Sequence, residues 1–218
     1  MRNESMFIHE WQGQTTMHPL ALLVLLLLLF FLFKVERKNA VIPFLIMACF
    51  ISVAQRIVIA GLDFNMIRIL VLFGWMRILF RGETNAFEMK TIDWVIILWA
   101  LTSTIAYTAL RGSSGALIYK LGTSFDAIGM YFLFRCLVRD WDDVRRIAAA
   151  LAYLSIPVAL FFMFEKQTGR NLFSIFGGVP EFTVERQGKL RAQGAFPHAI
   201  IAGCFWATQI PIIAMLWW

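Results

Sequence analysis

The chain has 218 residues, of which 60% are hydrophobic and 16% charged, with a formal charge of +6 at pH 7 and a mean hydropathy of +0.70. A soluble domain of this length could not bury so much apolar surface in one core, and a chain so apolar and weakly charged is not disordered. Cys49, Cys136 and Cys204 are too few and too scattered for a disulfide framework or a zinc site. Each lies in or at the end of an apolar run and reads as a small hydrophobic residue. The Lys and Arg residues sit in short clusters between apolar runs, not in a stripe interleaved with exposed aromatics. That distribution encodes membrane topology and argues against nucleic acid as a partner. The expected class is an all-α polytopic membrane protein.

A bilayer core of about 30 Å needs roughly 20 helical residues per crossing. The first candidate, residues 19–33, contains the run LALLVLLLLLFFLF. It does not read as a cleaved signal peptide, because Arg2 is the only Lys or Arg before it and no small-residue cleavage site follows. Further runs cover residues 40–54, 64–80, 92–110, 116–134, 147–164 and 198–218. The second is short unless it extends past Arg56 towards Gly61. These runs predict about seven crossings in a single membrane domain over 1–218. Ten bases fall on one side: Lys34, Arg37, Lys38, Arg77, Arg81, Lys90, Arg135, Arg139, Arg145 and Arg146. The other side's short segments hold Arg2, Arg56, Arg111 and Lys120, with Arg68 just inside a span. The positive-inside rule makes the first group cytoplasmic and puts the N-terminus outside.

One connection departs from this pattern. Residues 165–197 form a 33-residue outside loop with five bases (Lys166, Arg170, Arg186, Lys189, Arg191) and three acids (Glu165, Glu181, Glu185). Loops of such length are commonly functional or disordered. Phe173, Phe176, Phe182 and Phe196 are too heavy an apolar load for a solvated linker, and Gly177, Gly178 and Gly188 mark tight turns. The expectation is a folded loop lying on the outer membrane surface.

Its last segment carries the main candidate chemistry. Arg186, Lys189 and Arg191 lie within six residues, and Pro197 with His198 opens the seventh run. Proline suits a first helical turn. An outward-facing helix N-terminus offers free amides and a partial positive charge. Arginines converging there can hold phosphate or pyrophosphate, with the planar guanidinium gripping two oxygens. The alternative is that these bases touch anionic lipid headgroups, and the residues alone do not choose between the two. His198 fits either a hydrogen-bonded helix-start residue or a general base. His9 and His18 belong to the N-terminal tail, so no ligand set is expected to hold a metal. Arg68 and Asp126 fall inside apolar runs, where ionisable groups are costly. Asp126 needs a partner, and Lys120 lies about 240° away round the helix. Arg68 on a neighbouring helix is therefore expected to pair with it, as a structural pair or as part of a substrate path. Arg56 and Asp63 flank Gly61 and either orient a headgroup or cap a turn.

Three segments resemble the O-antigen ligase and O-antigen polymerase-like family of bacterial envelope proteins. They are QRIVIAGLDFNMIRILVLFGWMRILFR, FEKQTGRNLFSIFGG and RQGKLRAQGAFPHAIIAGCFWA, together about a third of the chain. The resemblance implies an integral glycosyltransferase of the bacterial inner membrane with a periplasmic N-terminus and loop. It would transfer or polymerise glycan from an undecaprenyl-pyrophosphate-linked donor to a glycan or lipid acceptor, in lipopolysaccharide or exopolysaccharide synthesis, without nucleotide sugar, metal or cofactor. Arg191 and Arg186 match the family's donor-handling loop arginines, and His198, Arg170, Arg56 and Arg68 complete the candidate substrate-binding set. Family members usually carry a second large outside loop with the histidine proposed as catalytic base. This chain stops before reaching one, so it is expected to be the N-terminal half of a longer enzyme, inactive alone, with catalytic residues unknown. His198 occupies a different loop and is not that base. The competing expectations are a transporter lined by Arg68 and Asp126, or a non-catalytic subunit of a polysaccharide assembly or export system.

Overall fold

The computed structural model describes residues 14–84 and 88–217. Arg2 and His9 of the tail and the terminal Trp218 lie outside the described residues. Within them the seven apolar runs all become α-helices: α1 (Pro19–Lys34), α2 (Ile42–Phe50), α3 (Met66–Arg81), α4 (Thr91–Arg111), α5 (Ser114–Leu137), α6 (Trp141–Thr168) and α7 (Ala199–Trp217). Their ends follow local chemistry. The His18 ring nitrogen accepts the Leu20 N–H at the start of α1, Ser113 accepts that of Ala116 before α5, and Asp140 accepts that of Asp143 before α6. Gly112 and Gly169, both left-handed, close α4 and α6.

The expected seven crossings are not supported by these helices. Three of them, α4, α6 and α7, are long and apolar enough to cross a membrane. The 16 residues of α1 span about 24 Å and the nine of α2 about 14 Å, both short of a bilayer core. The 16 residues of α3 are as short as α1 and include Arg68, Arg77 and Arg81, and α5 is long enough but carries Lys120, Asp126 and Arg135. The chain is mostly helical, as expected, and adds two small antiparallel hairpins. One joins β1 (Arg56–Ile59) to β2 (Leu62–Asn65), and the other joins β3 (Glu185–Arg186) to β4 (Lys189–Leu190). So α2 does not run on past Arg56. The backbone becomes extended at Ile51, and polar side chains then hold it: Ser52 Oγ donates to the Gly178 carbonyl at 2.9 Å, and Gln55 Oε1 accepts the His18 N–H at 2.7 Å.

The described residues fall into two compact units, one drawn from Met1–Ile67 and Asp140–Trp218, the other from Arg68–Arg139. In the first, Phe173 is the hub of the core. It is buried with Cys49, Val158 and Ala195 and packed by Phe50, Phe161 and Phe162. The Phe161 and Phe162 rings meet it edge-on at 5.2 and 6.1 Å. The chain returns beside its own start here, since Arg56 pairs with Thr16 in an antiparallel bridge. At the other end of α1, Arg37 forms a 2.5 Å ion pair with Asp143 in the first turn of α6. The basic turn after α1 and the basic start of α6 are thus neighbours, as the charge count expects. The exposed Glu36 carboxyl in that turn is held below its ordinary range, chiefly by its hydrogen bond from Lys38.

The second unit holds α4, α5 and α3 from Arg68 onwards. Trp75 donates to the Gly129 carbonyl at 3.1 Å, and Thr104 and Ser124 share a 2.9 Å hydrogen bond. Asp93, fully buried, accepts from Tyr131 at 2.6 Å and from Arg135 at 3.1 Å. Arg77 is buried against Glu83 at 2.9 Å.

Candidate functional site

The loop between α6 and α7 belongs wholly to the first unit. After Gly169 the chain makes an isolated bridge between Arg170 and Phe182, with a single 3-10 turn, Leu172–Phe176, enclosed between them. Asn171, 2% exposed, holds this turn together. Its side-chain oxygen accepts the Phe173 N–H at 3.0 Å, and its amide donates to the Gly194 carbonyl at 2.8 Å. Gly177 and Gly178 then turn with positive φ against Gln55, close enough that a Cβ on Gly177 would sit 2.7 Å from the Gln55 amide nitrogen. The β3–β4 hairpin follows, closed by Gln187 and Gly188, both left-handed. The folded loop expected from the phenylalanines is present, and Phe173 is the residue that roots it.

The hairpin carries the cation cluster. Arg186 and Lys189 are exposed and paired across the ladder, while Arg191, half-buried, follows β4 with its N–H bonded to the Val184 carbonyl at 2.9 Å. No acidic group lies within ion-pair distance of Arg186, Lys189 or Arg191 among the described residues. The loop's other candidate differs. Arg170 is paired with Glu181 at 2.5 Å and stacks over the Phe182 ring at 5.8 Å. His198 is half-buried and its carbonyl accepts the Ala202 N–H at 3.1 Å, so it stands at the cap of α7. Pro197 therefore lies two residues before the helix, not in its first turn as the sequence suggests. An open cleft of about 370 Å³ is lined by Phe162, Met163, Lys166, Gln167 and Ala192, the last of these following Arg191 in the chain.

Arg56 is already engaged, with Asp63 across the β1–β2 hairpin at 2.6 Å. Arg68, in the second unit, makes a two-point contact with Asp126, Nε to Oδ1 and Nη2 to Oδ2 both at 2.7 Å. This is the partner expected for Asp126. Gly122 leaves the room, since a Cβ there would come within 3.1 Å of the guanidinium. Among the described residues no three His, Cys, Asp or Glu side chains are grouped to hold a metal.

Sequence reasoning misses the residues that build the loop. Glu165 is fully buried and accepts from Thr183 Oγ1 at 2.9 Å, the Gln193 N–H at 3.0 Å and the Gly194 N–H at 2.9 Å. At the end of an apolar run it reads as a solvated acid. Comparison of the chain with protein-family models, curated proteins and solved structures returns no match.

Proposed function

We propose that the protein is a membrane glycosyltransferase of the O-antigen ligase or polymerase type. In this reading it sits in the bacterial inner membrane with its N-terminus and the 165–197 loop on the periplasmic side. Its donor is a glycan on undecaprenyl pyrophosphate and its acceptor a glycan or lipid hydroxyl. The observation that carries the reading is the cluster of Arg186, Lys189 and Arg191, three cations without acidic partners among the described residues, on a loop rooted by Phe173. Cations left unpaired on a fixed scaffold are available to an anion from outside the chain.

Parts of the three resembling segments meet in the first unit, which supports the same reading, while residues 68–81 of the first segment belong to the second unit. Gln55 of the first touches Gly177 and Gly178 of the second, and Glu165 and Asn171 of the second bond Gln193 and Gly194 of the third. The acceptor oxygen attacks the anomeric carbon, and the bond from that carbon to the pyrophosphate oxygen breaks. The electron pair leaves on undecaprenyl pyrophosphate, and Arg191 with Arg186 neutralises the charge that develops there. A base removes the acceptor proton, and no residue of this loop is assigned to that role. The apolar wall of Phe162, Met163 and Ala192 offers the donor's lipid a surface that includes the residue after Arg191.

The test is transfer from the lipid-linked donor in membranes that hold the full-length enzyme, parent or variant, at equal protein levels. Arg191→Ala loses a charge-assisted contact of about 1.5–3 kcal/mol, roughly ten- to a hundred-fold in rate. Arg191→Lys falls by about ten-fold, because lysine keeps the charge and loses the two-point grip. Normal transfer by both variants overturns the reading.

A further inference from the structure

The β3–β4 hairpin has two residue pairs, and a two-stranded hairpin standing alone is marginal at best in water. Its geometry has to be fixed from its feet. Thr183 lies two residues before β3, and Gln193 and Gly194 lie three and four residues after β4. All three donate to one carboxylate, Glu165, at 2.9, 3.0 and 2.9 Å. Residues 184–192, with Arg186, Lys189 and Arg191, thus form a closed loop standing on a single fully buried side chain. A carboxylate taken out of water needs such donors, and among the described residues no cation lies within ion-pair distance of Glu165. The adjacent Lys166 adds a strut through its ammonium group to the Leu190 carbonyl at 2.8 Å. The base of the loop is closely packed, since Gly194 is left-handed and lies directly against Phe162 and Phe173.

We infer that Glu165 is the positioning residue of the Arg186–Lys189–Arg191 cluster, holding these cations in register for the pyrophosphate of the donor. The inference rests on the reading given under Proposed function. Glu165 does not touch the donor; it acts through Arg191, because the Gln193 and Gly194 amides that it anchors are two and three residues further on. An anion site whose cations are held in place binds more tightly than one that must order them first.

The experiment measures binding of farnesyl pyrophosphate to the purified chain in neutral detergent, alongside a spin-label distance between Gln167→Cys and Gln187→Cys in a Cys204→Ser background. Glu165→Gln replaces one accepting oxygen with a donor. It is expected to weaken binding about ten-fold and to broaden the distance distribution. Thr183→Val removes one of the three bonds and keeps the carboxylate, so it serves if Glu165→Gln does not fold. It is expected to weaken binding about three-fold with helicity unchanged. In an Arg191→Ala background Glu165→Gln is expected to add less than two-fold. Full additivity there, or binding by both Glu165→Gln and Thr183→Val within two-fold of the parent, overturns the inference. An unchanged distance distribution overturns it without reference to any ligand. If the hairpin loosens but Arg191→Ala binds like the parent, the donor reading itself fails, and the role of Glu165 towards the donor fails with it.

Discussion

Gly194 shows how much of the candidate site rests on single positions. Its φ is +59°, and a Cβ there would fall 2.3 Å from a Phe162 ring carbon that is itself packed against Phe173 and Trp206. Gly194→Ala combines overpacking with a left-handed alanine. It should cost about 2–4 kcal/mol, read as a lower melting temperature of the detergent-solubilised protein. Gly188, also left-handed but in open space, should lose only the conformational part on the same substitution, about 1 kcal/mol. Among the arginines, those already paired should matter less. Arg170 and Glu181 are both more than half exposed, and such surface pairs contribute about 0–1 kcal/mol. Arg170→Ala should therefore weaken pyrophosphate binding far less than Arg191→Ala in the same titration.

Arg68 and Asp126 set the problem at the level of elements. Two opposite charges in separate apolar runs have to find each other, so their pairing is legible without coordinates, and the two-point contact between α3 and α5 bears it out. A structural pair and a substrate path differ in what replaces them. Removing Asp126 alone leaves a half-buried guanidinium uncompensated and should cost about 3 kcal/mol in thermal stability. Arg68→Met with Asp126→Leu should recover most of that loss and leave transfer by the full-length enzyme intact. Loss of function in a stable double variant would instead point to a path-lining role. The helix bodies are legible because apolar runs mark them, whereas the sixth helix extends beyond its apolar run to ends set by Asp140 and Gly169. The β1–β2 hairpin is not legible, because Ile57, Val58 and Phe64 are as apolar as the flanking helices. Nothing local marks Ser52 and Gln55 as hooks for Gly178 and His18, the former 126 positions away. Glu165 is hidden for the same reason, since its partners lie 18 to 29 residues downstream.

For the whole molecule, the Arg37–Asp143 contact requires an even number of crossings between Lys38 and α6, whereas α4 alone among the long apolar helices between them would give one. The Arg37–Asp143 contact puts the turn bearing Lys34, Arg37 and Lys38 at the end of the first unit where Arg145 and Arg146 begin α6. Reporter fusions after Lys38 and after Arg146 should therefore read as the same compartment, and the positive-inside rule makes it the cytoplasm. Opposite compartments would contradict the packing, and a shared periplasmic reading would contradict the orientation. The proposed role of the cluster around Arg191 is recognition of a lipid-linked pyrophosphate, as distinct from general anchoring to anionic headgroups. The most direct measurement is a farnesyl pyrophosphate titration of the purified protein with phosphatidylglycerol in excess, for the parent, Arg191→Lys and Arg191→Ala. Saturable binding that survives the competing lipid, falls about ten-fold in Arg191→Lys and further in Arg191→Ala, is the predicted result. Displacement by phosphatidylglycerol, or an Arg191→Lys curve that overlays the parent's, would contradict it.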